Sequence, residues 1–312
     1  MGSRRSLAVG PLLVAVAAAL WGADALLRKP LADSTTAATI VFGEHLVLVA
    51  VTLPLLLGAL VAVWRAGPRY VLAAVVVGAG ASALATILFT EAFVRGSDPV
   101  TPVVLQKVQP LVVVIGARVI LGEHPRKNFF WFLLAGLAGV WLIAFPDPTN
   151  ISAHGLTPAV FALSAAVLWA FGTVLGRMLT TRISFQHVTT LRFAFGLPAS
   201  ALAVLVLGAP AFPSGHDFVW ITALALVTGL IALGLYYYGL QRTPAVTASL
   251  AELAFPVSAT IVGYVAFDAT LSGSQWIGLL VTSAVVLLLP ARSDKLVELD
   301  EPDAGHLAPA PA

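Results

Sequence analysis

Short clusters of polar, glycine and proline residues cut this chain into apolar stretches of about twenty residues, the helix length that a bilayer core requires. Ten such stretches can be counted, at about 8–27, 36–58, 70–93, 100–121, 128–145, 157–177, 186–208, 217–239, 245–266 and 274–290. The breaks include Arg28-Lys29-Pro30, Arg65-Ala66-Gly67-Pro68, Gly122-Glu123-His124-Pro125 and Pro146-Asp147-Pro148, turn-forming residues that end helices. Every connection is short, which leaves no room for an extramembrane domain. A soluble domain has no use for 59% hydrophobic and only 10% charged residues. The expected fold is therefore an all-α membrane protein of ten transmembrane helices. From Ala291 the chain turns charged and then rich in proline and alanine, which predicts a disordered tail over 291–312.

Basic residues give the orientation. With the N-terminus inside, the inner segments hold Arg4, Arg5, Arg65, Arg69, Arg126, Lys127, Arg177, Arg182, Arg242, Arg292 and Lys295, and the outer ones only Arg28, Lys29 and Arg95. Eleven against three is a strong positive-inside bias, so both termini are expected in the cytoplasm. The leading Met-Gly-Ser-Arg-Arg-Ser reads as a short basic lead, because another hydrophobic segment follows the first instead of a polar mature domain. The Ala-, Val- and Arg-rich composition is bacterial in character, which places the chain in the inner membrane. A net charge of +2 gives no reason to expect a nucleic-acid partner. The chain has no cysteine, and its six histidines are scattered without ligand spacing, so no metal site and no cofactor are expected. Without a glycine-rich phosphate loop, ATP is not expected to drive it.

The two halves repeat. Ala19-Leu20-Trp21-Gly22 matches Val167-Leu168-Trp169-Ala170, Glu44 lines up with Arg192, and Pro110 with Pro256. Each half, 8–145 and 157–290, holds five spans. The odd number inverts the second copy, and inverted repeats place a substrate site near the midplane where the halves meet.

Within this pattern two spans carry ions. Gln106, Lys107 and Gln109 precede or flank Pro110, and Glu252 stands four residues before Pro256. An ammonium near the middle of a membrane helix costs ~2.5–3.5 kcal/mol on insertion scales, so each ion needs a partner or a wet cavity. One reading is a zwitterion-sized site, Lys107 for a carboxylate and Glu252 for an amine. The other is a structural ion pair of Lys107 with Glu44 or Glu252. Each proline also removes a backbone donor, which predicts that the carbonyls of Gln106 and Glu252 lack their helical partners.

The chain resembles the EamA repeat of the drug/metabolite transporter superfamily in Leu20-Trp21-Gly22, Pro110, Leu121-Gly122-Glu123 and Gly136-Leu137-Ala138-Gly139-Val140. The second half resembles it in Leu168-Trp169, Ala251-Glu252-Leu253-Ala254-Phe255-Pro256 and Trp276-Ile277-Gly278. The resemblance implies an exporter or importer of small metabolites with a central cavity between the halves. The sequence departs from that pattern where Phe267-Asp268 stands in place of the closing Gly-Glu.

The candidate substrate-binding residues are Lys107, Glu252, Gln106, Gln109, Trp21 and Trp169. Glu44 and His45 are candidates for proton coupling, since a desolvated carboxyl titrates nearer neutrality. The alternative for that pair is a tautomer-fixed histidine beside a carboxyl paired with Lys107. Of Tyr236-Tyr237-Tyr238, one or two can reach a common cavity. Asp24 is expected at a rim, and Gly172 and Gly176, at GxxxG spacing, mark close helix packing. The expected function is a secondary transporter of small amphiphilic metabolites, amino acids or similar, working by alternating access. The competing class is an integral-membrane enzyme on a lipid-linked substrate, which needs acid/base groups clustered at one membrane face. Partners are thus a small-molecule substrate and the lipid bilayer.

Overall fold

The structure, a computed structural model, describes residues 2–31, 34–95, 105–145, 147, 156–292 and 295–299. Over these residues the chain is almost wholly helical. In order come α1 (Gly2–Gly22), α2 (Ala25–Arg28), α3 (Ala37–Ala66), α4 (Pro68–Val75), a π-helical turn Val76–Leu84, α5 (Ala85–Arg95) and α6 (Gln109–Leu121). Strand β1 (Glu123–Pro125) leads to α7 (Lys127–Ala144), α8 (Leu156–Thr180), α9 (Phe185–Leu207) and α10 (Gly215–Leu224). A second π-helical turn, Ala225–Ile231, precedes α11 (Ala232–Leu240), and α12 (Ala245–Ala251), α13 (Ala254–Ala266), α14 (Gly273–Arg292) and β2 (Val297–Leu299) complete the chain.

Nine helices among the described residues are long and apolar enough to cross a membrane. The expected fourth span is the exception. Residues 100–104 lie outside the described part, and from Leu105 onward the segment is not one helix. Lys107 and Val108 form a turn, and α6 starts afresh at Gln109 with 13 residues. The expected ninth span breaks in the same manner between α12 and α13, at Glu252 and Leu253.

Helix ends follow local chemistry. The side chains of Thr36, Ser184 and Ser214 accept the amides of Thr39, His187 and Asp217 at 3.2, 3.4 and 3.2 Å, satisfying donors that the first helical turn leaves open. Small residues set the closest approaches between helices. α7 and α14 touch where Gly139 meets Gly278; a methyl on Gly278 would stand 2.8 Å from the Ile143 nitrogen. A methyl on Gly172 would meet Ala81 at 2.7 Å, and one on Gly176 would meet Tyr237 at 2.7 Å, so the GxxxG pair serves two neighbours.

The described part of the expected disordered tail is structured. The tail from Ala291 does not begin in disorder, because α14 runs to Arg292 and β2 pairs antiparallel with β1, Val297 opposite Pro125 and Leu299 opposite Glu123. The Arg126 amide donates to the Leu296 carbonyl at 2.9 Å, and the apolar side chain of Leu296 is buried. Burying Leu296 and Val297 against the helix ends offsets the entropy of ordering the segment. Residues 300–312 lie outside the described part.

Candidate functional site

A cavity of about 770 Å³ lies among the helices, and every residue singled out from the sequence as a binding or coupling candidate lines it. Its wall draws on α1, α3, α5, α8, α9, the second π turn and both helix breaks. It reaches Ile143 and Ala144, the last residues of α7.

The breaks sit at the centre. At the first, the Val108 amide reaches back to the Leu105 carbonyl at 3.1 Å, and Pro110 has no amide to give. At the second, the Leu253 amide bonds the Leu250 carbonyl at 3.1 Å and the Phe255 amide bonds the Glu252 carbonyl at 3.0 Å. The Glu252 carbonyl is therefore not left open, as the proline alone predicted; the chain tightens to a three-residue bond and finds a nearer donor.

The Glu252 side chain is held from three elements. Tyr236 Oη donates to Oε1 at 2.7 Å, Thr173 Oγ1 to the same oxygen at 3.0 Å, and Gln109 Nε2 to Oε2 at 2.6 Å. Thr173 and Tyr236 are also within 2.9 Å of each other. Gln109 comes from the first broken helix and Glu252 from the second, so this bond ties the halves together. Lys107 does not complete it. Its Nζ donates to Gln106 Oε1 at 3.1 Å and stands 4.7 Å above the Phe255 ring, and no described carboxylate comes within ion-pair distance. Neither structural pairing expected for Lys107, with Glu44 or with Glu252, is made.

Glu44 takes Arg28 instead, at 3.5 Å, while Arg28 Nε binds Asp24 more closely at 2.9 Å. Sequence reading treated Arg28 as a loop cation. The Asp24-to-Arg28 spacing of one helical turn was the available signal. His45 is fixed at both nitrogens, Nδ1 on the Val41 carbonyl at 2.7 Å and Nε2 on Ser82 Oγ at 3.1 Å. Arg192 donates to the Tyr237 hydroxyl at 3.0 Å and to the Ala81 carbonyl, inside the first π turn, at 3.2 Å.

Aromatic rings form part of the remaining wall. Trp21 donates Nε1 to the Thr228 carbonyl in the second π turn at 3.0 Å and lies 5.1 Å from the Tyr236 ring. Trp169 packs edge-on against Phe89 at 5.0 Å. A π-helical turn loosens the α-helical bond ladder, and in both turns a side chain from another helix uses a carbonyl there. Thr173, Arg28 and Ser82 were missed as site residues by sequence reading, and of Tyr236, Tyr237 and Tyr238, left open there, Tyr236 lines the cavity. Hydroxyls and an end-of-helix arginine are too common in membrane helices to signal a site by type alone.

The EamA-like transporter family model matches residues 156–289. The riboflavin transporter ImpX of Fusobacterium nucleatum subsp. nucleatum is 30% identical over 303 residues, covering 90% of this chain and 95% of its own. The riboflavin transporter of Rhizobium johnstonii is 26% identical over 231 residues, covering 72% and 70% respectively. The uncharacterized inner membrane transporter YedA of Escherichia coli K12 is 30% identical over 183 residues, covering 57% and 58%. A solved crystal structure, 22% identical, superposes with a TM-score of 0.73 over 92% of this chain and 98% of that one, and shares the fold.

Proposed function

Because the chain belongs to the EamA-like transporter family of the drug/metabolite transporter superfamily, we propose that it is a secondary transporter. It carries a small amphiphilic metabolite across the inner membrane by alternating access, through the cavity between two inverted five-helix halves. Matching features support that arrangement: a π-helical turn in each half, at 76–84 and 225–231, and a broken helix in each, at Lys107 and at Glu252. The basic bias supports both termini on the cytoplasmic face.

One observation narrows the cargo. Glu252 already accepts from Tyr236, Thr173 and Gln109, whereas Lys107 has no carboxylate within ion-pair distance among the described residues, so the cation is more open to a solute than the anion. A zwitterionic amino acid would have to share Glu252 with three protein donors or place its ammonium at Asp24, whose Oδ1 is the unpartnered carboxylate oxygen on the wall. A ring-bearing solute that accepts hydrogen bonds suits the site better: Trp21, Tyr236, Phe89, Trp169 and Phe255 give it apolar walls, and Lys107 and Gln106 give it donors. Riboflavin, named for two relatives, is a molecule of that kind, and a cavity near 770 Å³ is of the size that encloses such ligands. Of the cavity carboxyls, Glu44 has the loosest hold, a single 3.5 Å contact to an arginine already bound to Asp24. It is the group best able to change protonation with the cycle, whereas His45 is fixed on both sides. The lipid-linked enzyme reading has less support, because the ionisable groups lie within the helices instead of gathering at one face.

The test is uptake of radiolabelled riboflavin into proteoliposomes, with tryptophan and lysine as comparison solutes. Saturable riboflavin transport, lost in Lys107→Ala while that protein remains folded, is the expected result. Transport of none of these solutes, or full activity in Lys107→Ala, would remove the assignment.

A further inference from the structure

Outside the cavity, two arginines from different parts of the chain converge on one hydroxyl. Arg69 is the second residue of α4, and Arg182 lies in the turn between α8 and α9. Gly67, with φ of 111°, lets α3 end and α4 begin within one residue, and α4 packs against both α8 and α9. Arg69 Nη2 donates to Tyr70 Oη at 3.0 Å, and Arg182 Nε donates to the same oxygen at 3.3 Å. The Arg69 guanidinium also lies 4.8 Å from the centre of the Tyr70 ring. Tyr70 is 4% exposed, whereas both arginines are exposed, and none of the three lines the cavity.

This arrangement gathers donors without an acceptor of matching charge. The phenol oxygen accepts two N–H groups, so its own O–H is left to donate, and each guanidinium has further N–H groups to give. Among the described residues no carboxylate comes within ion-pair distance of Arg69 or Arg182. Two like charges held on one oxygen repel, and the start of α4 adds the positive end of a helix. Arg65, exposed in the last turn of α3, brings a third basic group to the same corner of the chain. An anion with several oxygens relieves all of this at once, and the planar guanidinium fork matches a phosphate. The exposed Arg126 differs, since it already has Glu298 at 3.6 Å.

The flanks indicate where such a phosphate comes from. Arg69 is the second residue of the apolar span Pro68–Ala92, and Arg182 lies between the spans that end at Thr180 and begin at Phe185. Both therefore stand at span ends, the depth of lipid headgroups. Trp64, just before Arg65, is 78% exposed, and Leu72, three residues after Arg69 and so on its side of α4, is 65% exposed. An exposed indole beside basic residues suits the boundary between headgroups and acyl chains. We propose that Arg69, Arg182 and the Tyr70 hydroxyl bind the phosphate of an anionic phospholipid. The cluster holds no acid to receive the choline of a zwitterionic headgroup, so net negative lipid is preferred. The site goes beyond the transport reading, because it requires a bilayer and no particular solute.

The test offers the full chain, in mild detergent, an equimolar mixture of phosphatidylglycerol and phosphatidylcholine, and native mass spectrometry counts the molecules of each that stay bound. Wild type is expected to prefer phosphatidylglycerol. Arg69→Gln and Arg182→Gln should each lower that preference about fivefold, the effect of one basic residue beside anionic lipid, and the double variant by more. Tyr70→Phe keeps the buried ring and should lower it as well; if that protein does not fold, the two arginine variants decide. Arg126→Gln should leave the preference as it is. An unchanged preference in both Arg69→Gln and Arg182→Gln overturns the proposal. An equal loss in Arg126→Gln also overturns it, since any basic surface would then serve. Excess inorganic phosphate separates the two sources of the anion. A lipid site keeps its phosphatidylglycerol, whereas displacement by phosphate alone would make this a site for soluble phosphate compounds and overturn the lipid assignment. No uptake is measured, so a chain that moves none of the tested solutes would lose the transport reading and keep this site.

Discussion

Replacing Tyr236 with phenylalanine isolates one hydroxyl at the centre of the site. The ring is 3% exposed and packs 5.1 Å from Trp21, so phenylalanine keeps the buried area and the aromatic contact. What goes is the bond from Oη to Glu252 Oε1 at 2.7 Å. A hydrogen bond to a charged group contributes ~1.5–3 kcal/mol, and a neutral one ~0.5–1.5 kcal/mol. Thr173 stays on the same oxygen at 3.0 Å, which keeps the loss near the lower end, about 1.5–2 kcal/mol. With Glu252→Gln already in place the acceptor is neutral, and Tyr236→Phe should then cost only ~0.5–1 kcal/mol. The double-mutant cycle should therefore show a coupling of about 1 kcal/mol. Reversible unfolding with sodium dodecyl sulfate in mixed micelles, followed by the fluorescence of the seven tryptophans, measures all four proteins. Single changes that add to within ~0.5 kcal/mol would show that Glu252 does not depend on this hydroxyl. The argument that its charge is already satisfied would then fall, and the amino-acid reading of the cargo would regain its footing.

Three further outcomes are expected. Glu44→Gln should retain substrate binding but lose the dependence of uptake on a proton gradient; an unaltered response to the gradient removes Glu44 from coupling. Reporter fusions placed after Arg65 and after Pro146 should read cytoplasmic and external, and the opposite pattern would reverse the proposed orientation. Gly278→Leu drives a side chain into the α7 backbone at Ile143 and should lower the folded yield in the membrane by the ~1–3 kcal/mol typical of overpacking, measured by the same unfolding assay; an unchanged midpoint would show that the two helices can separate freely.

Much of the architecture was legible because bilayer thickness acts on length and composition, quantities a sequence displays directly. The central residues were legible for a related reason: Lys107, Gln106, Gln109 and Glu252 are conspicuous in apolar surroundings, and Pro110 and Pro256 mark breaks. Their partners were not. Arg28 reaches Glu44 across two elements sixteen residues apart in sequence, and the donors to Glu252 come from residues 109, 173 and 236. Helical phase could not bring Tyr236 forward, because a π-helical turn lies between it and the start of its span and resets the phase that a 3.6-residue period would extrapolate. The strand at Val297–Leu299 was hidden because its pairing partner lies over 170 residues earlier, in a segment read as a turn.

The two π-helical turns also fix how tolerant the wall is of changes in chain length. A residue in an α-helix advances the chain by about 100° around its axis and 1.5 Å along it. Each π turn holds additional chain within its bond ladder. Deleting a single residue from 225–231 would shorten the span by only about 1.5 Å, which a bilayer absorbs. Yet it would swing everything beyond the turn around the axis, and Tyr236 would no longer face Glu252. Deletion within 76–84 would in the same way rotate Thr86, Phe89 and Thr90 off the cavity wall. The two turns thus act as indexing points, where the solute-facing side of a helix can be exchanged for its lipid-facing side while membrane insertion is left intact.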